Sequence, residues 1–343
     1  MIRIVPKLID AFTGFNEIEI AEFRINYLGD LVKKVVIAES DLTHSGEKKP
    51  LYFHNWLLET PKYRNKVEVI YVDLKNEVDA WSREVKQREE LASYLLKNYK
   101  GHRFILSDLD EIPSINQVSE FLKSKGSFKY ETTVYFRYAN FKVENGFNWK
   151  RGSMGGSELL RLENGGRFAE LPSLLGEEKG LHLSYMGGVK STSNKLQSFA
   201  HQELNFEEFT SAHLISFANK FGIDHLGNYF LRGEGLLRIQ SVNEFSDMQK
   251  RLFESNPDLF NLSVIDKSNL HRKLASLVIT LIRLKPRLRN ILFKTFISPQ
   301  KESSVMESLL SYLAVIIFFL IHQTKKSILR IKETYKLATK DLV

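Results

Sequence analysis

The pattern of hydrophobic and polar positions over the first hundred residues alternates between strand-like and helix-like segments. Short apolar runs rich in β-branched residues predict three strands, at residues 2–9, 32–38 and 66–73. Residues 16–28 and 79–99 carry apolar positions at helical spacing, with Asn16 as the expected cap of the first helix. Because strands and helices alternate, we expect an α/β fold with a parallel, Rossmann-like sheet flanked by helices.

A fourth apolar run, residues 104–107, leads directly into a cluster of acids. Asp108, Asp110 and Glu111 follow this run, and Pro113 prevents the strand from continuing. Ligands bind at the carboxyl ends of strands in open α/β sheets. Three neighbouring acids repel one another unless a cation lies among them, and Mg²⁺ or Mn²⁺ is the usual cation for oxygen ligands. The run therefore predicts a D-x-D metal–diphosphate site; the alternative is a solvated acidic turn.

The rest of the chain divides near residue 264. Residues 132–138 are strand-like, residues 144–188 are rich in glycine and predict short strands and loops, and residues 192–262 return to helical spacing. We expect a catalytic domain at 1–263 and a basic, apolar helical region at 264–343.

The apolar run in this C-terminal region, residues 309–321, is shorter than the roughly 20 residues of a spanning helix. Basic residues interleaved with Leu, Ile and Val favour a helix on an anionic membrane surface. The alternative is a helical extension that packs on the catalytic domain or on a second copy. Nucleic acid is disfavoured as a partner, because stacking aromatics do not accompany the basic residues.

Composition narrows the class further. The 343 residues are 43% hydrophobic and 26% charged, which suits a globular protein with a sizeable core, and the formal net charge is +8. Cysteine is absent, so any metal must use oxygen and histidine ligands, and a reducing cytoplasm is the expected compartment. The first residues lack a basic region followed by an apolar core, so we expect no signal peptide.

Several separate segments, in order, resemble glycosyltransferase family 17 over roughly residues 2–260. They read F-N-E-I-E-I-A-E-F-R-I-N-Y-L-G-D, V-V-I-A-E-S-D-L-T-H-S-G-E-K-K-P-L-Y-F, E-V-K-Q-R, S-D-L-D-E-I-P, G-L-H-L-S-Y-M-G-G and K-L-Q-S-F-A-H-Q-E-L-N. Leu181 stands where the family usually has tryptophan, so a contact with acceptor or sugar is expected to differ. The chain lacks the cysteines of the animal members, and in this it resembles a bacterial-type member of the family.

The resemblance implies a GT-A fold and an inverting transfer from a UDP-sugar, UDP-N-acetylglucosamine by preference, with Mn²⁺ or Mg²⁺. The acceptor would be a glycan or a glycolipid, presented in the cytoplasm or at the inner face of the membrane. Two other readings stay open. One is a phosphoryl- or nucleotidyl-transferase, although no Walker-type motif is present. The other is a non-enzymatic membrane-binding module that uses the C-terminal region.

The resemblance also implies metal ligands. Asp110 is expected to bind the ion directly. Asp108 is expected to bind the ion directly or through a water, or else to hold the ribose. His182 is expected to complete the site. A lone histidine in an apolar segment is otherwise a core residue bonded to a backbone carbonyl.

The remaining candidates concern the nucleotide and the proton. Glu39 is expected to accept the uracil N–H, or else to cap the following turn. Arg88 is expected to reach the nucleotide or the acidic motif, or else to pair with a neighbour on its helix. Glu203 is the first choice for the general base and Asp224 the second, although either can be structural. His201 is expected to orient Glu203 or to contact the donor.

Overall fold

A computed structural model describes residues 8–143, 149–174, 176–226 and 236–264, and the single positions 272, 273, 275, 276 and 279. All of these residues belong to one compact unit, Met1–Leu284. The predicted C-terminal region lies outside the described residues apart from residue 264 and those single positions, so its boundary and its membrane role stay predictions. No helix in the described part of the chain is long and apolar enough to cross a bilayer.

The described strands and helices follow the predicted alternation. The strands are β1 Leu8–Thr13, β2 Lys34–Glu39, β3 Val67–Tyr71, β4 Arg103–Asp108, β5 Glu111–Ile112, β6 Phe128–Lys129, β7 Thr132–Phe136, β8 Phe141–Lys142, β9 Ser153–Gly155, β10 Gly180–Ser184 and β11 Arg238–Ile239. The α-helices are α1 Ile18–Leu28, α2 Tyr52–Glu59, α3 Ala80–Asn98, α4 Ile115–Lys123, α5 Gly188–Ser198, α6 Glu207–Thr210, α7 Ala212–Phe221 and α8 Asp247–Ser255. Short 3-10 helices lie at Gly29–Leu31, Pro61–Tyr63, Leu159–Arg161, Glu163–Gly166, Gln202–Leu204, Val242–Glu244 and Pro257–Leu259.

The first sheet is six-stranded, in the order β3-β2-β1-β4-β9-β6. Strands β1 to β4 are parallel, and β9 and β6 extend the sheet with antiparallel pairing. The α/β class and the parallel strands of the first hundred residues are thus confirmed. Assignment to the GT-A fold stays a prediction.

The second sheet is five-stranded, in the order β11-β8-β7-β10-β5. Strand β10 lies parallel to β7 and antiparallel to β5, and this register places His182 opposite Glu111. Because β5 follows β4 after only two residues, the acidic motif connects the two sheets.

The core lies on both faces of the parallel sheet. On one face, Phe12 and Ile105 belong to the same apolar cluster as Phe23 of α1. On the other face, Ile9 and Phe104 cluster with Leu91 and Leu95 of α3. Successive strand residues point to opposite faces, so burial of both faces requires continuous apolar runs, which is what these strands contain.

Two local expectations are wrong. Asn16 does not cap α1: Glu17 occupies the cap position, and no side chain there accepts a capping hydrogen bond. The described part of β1 continues to Thr13, four positions past the predicted end of the strand, and residues 1–7 lie outside the described residues. This extension brings the end of β1 level with Asp108, its partner in the register with β4.

Candidate functional site

A buried arginine holds the backbone of the acidic motif. Arg24 of α1 donates from Nη1 to the carbonyl oxygens of Asp108 at 2.8 Å, of Leu109 at 3.1 Å and of Glu111 at 3.1 Å. Its Nε and Nη2 donate to Asp10 at 2.8 and 2.5 Å, and both side chains are fully buried. Burial alone would lower the pKa of Arg24, but Asp10 outweighs this effect and raises it. The charge of Arg24 therefore persists in the core and fixes the loop.

A cavity of about 410 Å³ opens at the carboxyl ends of β1 and β4, within the size range of ligand pockets. Its lining includes the loop after β1, one side of α3, both aspartates of the motif and part of α5. The predicted site residues that line it are Arg88, Asp108, Asp110, His182 and His201.

Two arginines bind Asp108. Arg88 Nη2 lies 2.5 Å from Oδ1, and Arg167 Nη2 lies 2.6 Å from Oδ2. Arg88 also contacts Glu84 at 3.1 Å, so it makes both the predicted contact with the motif and the predicted pair on its helix. Burial alone would raise the pKa of Asp108, but the charges of Arg167 and Arg88 outweigh this effect and hold the pKa well below its usual range.

Asp110 faces a lysine and a histidine. Lys195 Nζ lies 2.8 Å from Oδ2 of Asp110 and 3.3 Å from Glu17, while His182 Nε2 lies 3.8 Å from Oδ1. Burial alone would raise the pKa of Asp110, but Lys195 and His182 outweigh it and lower the pKa. At pH 7 the aspartate is therefore ionised.

His182 is nearly buried, and its ring lies 4.5 Å from that of Trp149. Its Nδ1 is buried and has no hydrogen-bond partner among the described residues, so the alternative of a carbonyl-bonded core histidine is not observed. Oxygen from Asp110 and nitrogen from His182 are donor types that Mn²⁺ accepts.

The described residues contain no group of three side chains that could hold a metal ion. Mg²⁺ and related ions, however, are usually bound by one or two protein ligands together with substrate phosphates and water. The pair formed by Asp110 and His182 fits that requirement. Whether a metal binds stays a prediction.

Glu39 caps a helix. Its carboxylate accepts the backbone N–H groups of Phe53 at 2.9 Å and His54 at 3.1 Å, in the first turn of α2, and the ring of His54 at 2.9 Å. Glu39 is fully buried and does not line the cavity, whereas its neighbour Lys49, 3.6 Å away, does. Of the two roles expected for Glu39, the structure shows the cap. The contact with uracil stays a prediction.

The two candidate bases do not line the cavity. Glu203 Oε1 lies 2.7 Å from Nδ1 of His201, which does line it, so the predicted pairing of these two residues is present. Asp224 is buried, and its Oδ1 accepts the backbone N–H of Leu226 at 2.9 Å. The structure therefore does not bring Asp224 to the predicted site.

Sequence reasoning missed several residues of the site. Arg167, Lys195 and Trp149 line the cavity and contact the acids of the motif, Trp149 by donating to Glu111 at 2.5 Å. Lys195 begins the segment K-L-Q-S-F-A-H, so a signal was present, whereas Arg167 lies in a glycine-rich loop without periodicity. Leu181 is buried in the core and does not line the cavity, so its side chain is not one of the cavity contacts.

Acids at the carboxyl edge of a parallel sheet, with cations around a cavity, define an α/β protein with a candidate ligand site. The model of glycosyltransferase family 17 matches residues 2–216 of the chain. The chain belongs to this family, and the resemblance seen in the sequence segments is confirmed.

The chain is similar to β-1,4-mannosyl-glycoprotein 4-β-N-acetylglucosaminyltransferases. The human enzyme is 31% identical over 163 residues, which are 43% of this chain and 30% of that protein. The rat enzyme is 31% identical and the mouse enzyme 30% identical over the same length, with 29% of each covered. The similarity therefore spans less than a third of these relatives.

Solved structures show weaker likeness. HddC from Yersinia pseudotuberculosis aligns with a TM-score of 0.29 at 12% identity, over 52% of this chain and 89% of that one. The inositol-1-phosphate CTP transferase from T. maritima aligns with a TM-score of 0.30 at 10% identity, over 52% and 84%. Similarity at this level does not establish a common fold.

Proposed function

We propose that this protein is an inverting, metal-dependent glycosyltransferase of GT-A fold, which transfers N-acetylglucosamine from UDP-N-acetylglucosamine to a glycan or glycolipid. One observation carries the proposal: the D-L-D motif lies, together with cationic side chains, in a cavity at the edge of the parallel sheet. Membership of glycosyltransferase family 17 supports the reaction class. The similarity to N-acetylglucosaminyltransferases supports the choice of sugar.

The charges around the cavity support a donor with a diphosphate and a divalent ion. The described lining contains five cationic side chains, Lys49, Arg88, Arg151, Arg167 and Lys195, and four carboxylates, Glu17, Glu84, Asp108 and Asp110. Because these charges nearly cancel, a bound diphosphate would leave the site negative. A divalent cation would offset that charge.

Asp110 and His182 would hold this ion. When bound, Mn²⁺ or Mg²⁺ supplies positive charge that stabilises the departing diphosphate. Lys195 contributes further positive charge beside Asp110, at 2.8 Å.

The pair of His201 and Glu203 would accept the proton. In an inverting transfer the acceptor oxygen bonds to the anomeric carbon as the bond from that carbon to the diphosphate breaks. The electron pair leaves with UDP, and the hydroxyl proton passes to a base. His201 lines the cavity and Glu203 orients its ring at 2.7 Å, so the proton would enter through His201.

The proposal includes the location. We place the reaction in the cytoplasm, with a glycan or glycolipid acceptor at the inner membrane face. The basic C-terminal region would bind the anionic surface.

Release of UDP from a panel of UDP-sugars, with Mn²⁺ and with EDTA, tests the proposal. We expect UDP-N-acetylglucosamine to be the preferred donor, and Asp110→Asn to lower kcat/KM by about 100-fold or more. Asp247→Asn, at an exposed position of α8, is the matched control and should retain full activity. Hydrolysis of ATP with no turnover of any UDP-sugar would contradict the proposal and favour a phosphoryl transferase.

A further inference from the structure

The two aspartates of the motif have different surroundings. Asp108 gives one carboxylate oxygen to Arg88 and the other to Arg167, at 2.5 and 2.6 Å. Asp110 gives Oδ2 to Lys195 at 2.8 Å, while its Oδ1 faces His182 at 3.8 Å. A metal at Asp108 would have to displace two charge-assisted hydrogen bonds, whereas Asp110 presents one oxygen beside an imidazole.

The two arginines are held in place from a second side. Glu84 contacts Arg88 at 3.1 Å, and Glu111 contacts Arg167 at 3.3 Å. The arginine side chains are only 12% and 11% exposed, and they come from α3 and from the loop after the 3-10 helix Glu163–Gly166. Both guanidinium groups are therefore positioned before any ligand binds.

The arginines keep donors for a ligand. Guanidinium carries five N–H donors, and Arg88 uses Nη2 for its hydrogen bonds to both Glu84 and Asp108. Arg88 Nε is buried and has no hydrogen-bond partner among the described residues. Both arginines line the cavity, and guanidinium forks match the geometry of phosphate oxygens.

We infer that Asp108 is a positioning residue that holds Arg88 and Arg167 as a receptor for the donor diphosphate. The metal-holding role falls to Asp110 and His182. This inference rests on the proposed function and deepens it, since it assigns different tasks to the two aspartates. It differs from the three roles expected for Asp108, which were direct ligation of the ion, contact through a water, and binding of the ribose.

Calorimetric titration of the full-length protein with Mn²⁺ alone tests the first part. Asp110→Asn should weaken Mn²⁺ binding by about tenfold or more. The double variant Asp108→Asn with Arg88→Gln removes one negative and one positive charge, so the local charge is preserved. We expect its Mn²⁺ affinity to stay within about twofold of the unaltered protein, because the net charge beside Asp110 is unchanged. Equal loss in both variants would overturn the assignment.

Titration with inorganic pyrophosphate in EDTA tests the receptor. Arg167→Gln should bind pyrophosphate about tenfold more weakly or worse, the effect of losing a charge-assisted hydrogen bond. Arg161→Gln, an exposed arginine outside the cavity lining, is the matched control and should bind normally. Unchanged binding by Arg167→Gln would overturn the inference.

Thermal unfolding checks that the variants fold. Should Arg167→Gln not fold, Arg167→Lys keeps the charge but lacks the fork, and its pyrophosphate affinity decides the question: weaker binding supports the receptor and unchanged binding rejects it. Pyrophosphate contains neither sugar nor nucleoside. Suppose that no UDP-sugar is turned over but that Arg167→Gln still weakens pyrophosphate binding. The proposal of a UDP-sugar donor then fails, whereas the inference of an arginine receptor for diphosphate is supported.

Discussion

At the scale of single residues, several of the described carboxylates are buried beside a basic side chain. Asp10 with Arg24, Asp110 with Lys195, and Glu39 with His54 are each within 3 Å. An ion buried in a protein is costly unless a partner compensates it, and removing one partner leaves the full cost. Substitution of a single member of a pair is therefore the sensitive test at this scale.

Arg24→Met tests the residue that anchors the acidic loop. We expect the free energy of unfolding to fall by about 3–5 kcal/mol, because Asp10 stays buried without its partner and three loop carbonyls lose their donor. Urea unfolding monitored by circular dichroism measures the change. The double variant Arg24→Met with Asp10→Leu should recover part of the loss, and a single variant as stable as the parent would show that the pair contributes nothing.

The Asp110–Lys195 pair predicts a pH dependence of stability. The folded pKa of Asp110 is lowered, so its ionisation stabilises the fold above the unfolded pKa of about 3.9 and this contribution is lost as the pH falls through the folded pKa. Asp110→Asn should therefore lower stability by about 3 kcal/mol at pH 7, and less in acid. Urea unfolding at several pH values provides the comparison. A difference between the two proteins that does not shrink with acid would refute this assignment.

At the scale of elements, α2 depends on a cap supplied from the preceding strand. No side chain at its own N-terminal position caps it; Glu39, at the end of β2, accepts its N–H groups instead. The acid also lies at the helix end where the dipole favours negative charge. The carboxylate therefore joins β2 and α2 beside the cavity.

Glu39→Gln separates the cap from the predicted nucleobase contact. Loss of the charged cap should lower the free energy of unfolding by about 1–2 kcal/mol. If Glu39 is only a cap, the substitution should leave the affinity for UDP almost unchanged. Calorimetry at a temperature where both proteins are folded measures this affinity. A marked loss of UDP affinity with unaltered stability would instead support the contact with uracil.

Gly180 tests the pairing of β5 with β10. A methyl group there would lie 2.2 Å from the backbone oxygen of Ile112, so Gly180→Ala must push the strands apart. We expect a loss of about 1–3 kcal/mol in urea unfolding, together with weaker Mn²⁺ binding as His182 shifts. In Gly176→Ala the new methyl lies 3.0 Å from the side chain of Gln117, and the nearest backbone atom is the oxygen of Glu178 at 3.7 Å, so this control should be milder. Equal effects would argue against a role for close strand approach.

At the scale of the whole molecule, the acidic motif lies where two sheets meet. Strand β4 belongs to the parallel sheet and β5 to the second sheet, so the aspartates sit at the junction. His182 reaches Asp110 from β10 of the second sheet, and Lys195 reaches it from α5, the helix after β10. The cavity is therefore assembled only when both sheets have formed.

Membrane association is a prediction about the whole chain. We expect the full chain to pellet with vesicles that contain anionic lipid, and a chain ended after residue 263 to remain in the supernatant. Each basic residue removed from the membrane surface costs about 1 kcal/mol of binding free energy. Neutral vesicles and high salt are the controls. Equal pelleting of the shortened chain would reject the C-terminal region as the binding element.

The sequence by itself determined the parallel strands, the position of the acidic motif and the family. These features depend on local information: apolar runs of strand length, acids directly after one of them, and short segments in a fixed order. The motif had to fall at the carboxyl edge of a sheet because its strand ends there.

Only the tertiary structure decided the partners of each acid. Arg24 lies 84 positions from Asp108 along the chain, and Lys195 lies 85 from Asp110. Sequence patterns do not encode such pairings, because the packing of distant elements brings the charges together. For the same reason the sequence leaves open whether Glu39 is a cap or a nucleotide contact, and whether Asp224 is a base or structural. In the structure Glu39 caps α2, and Asp224 is buried and outside the cavity lining.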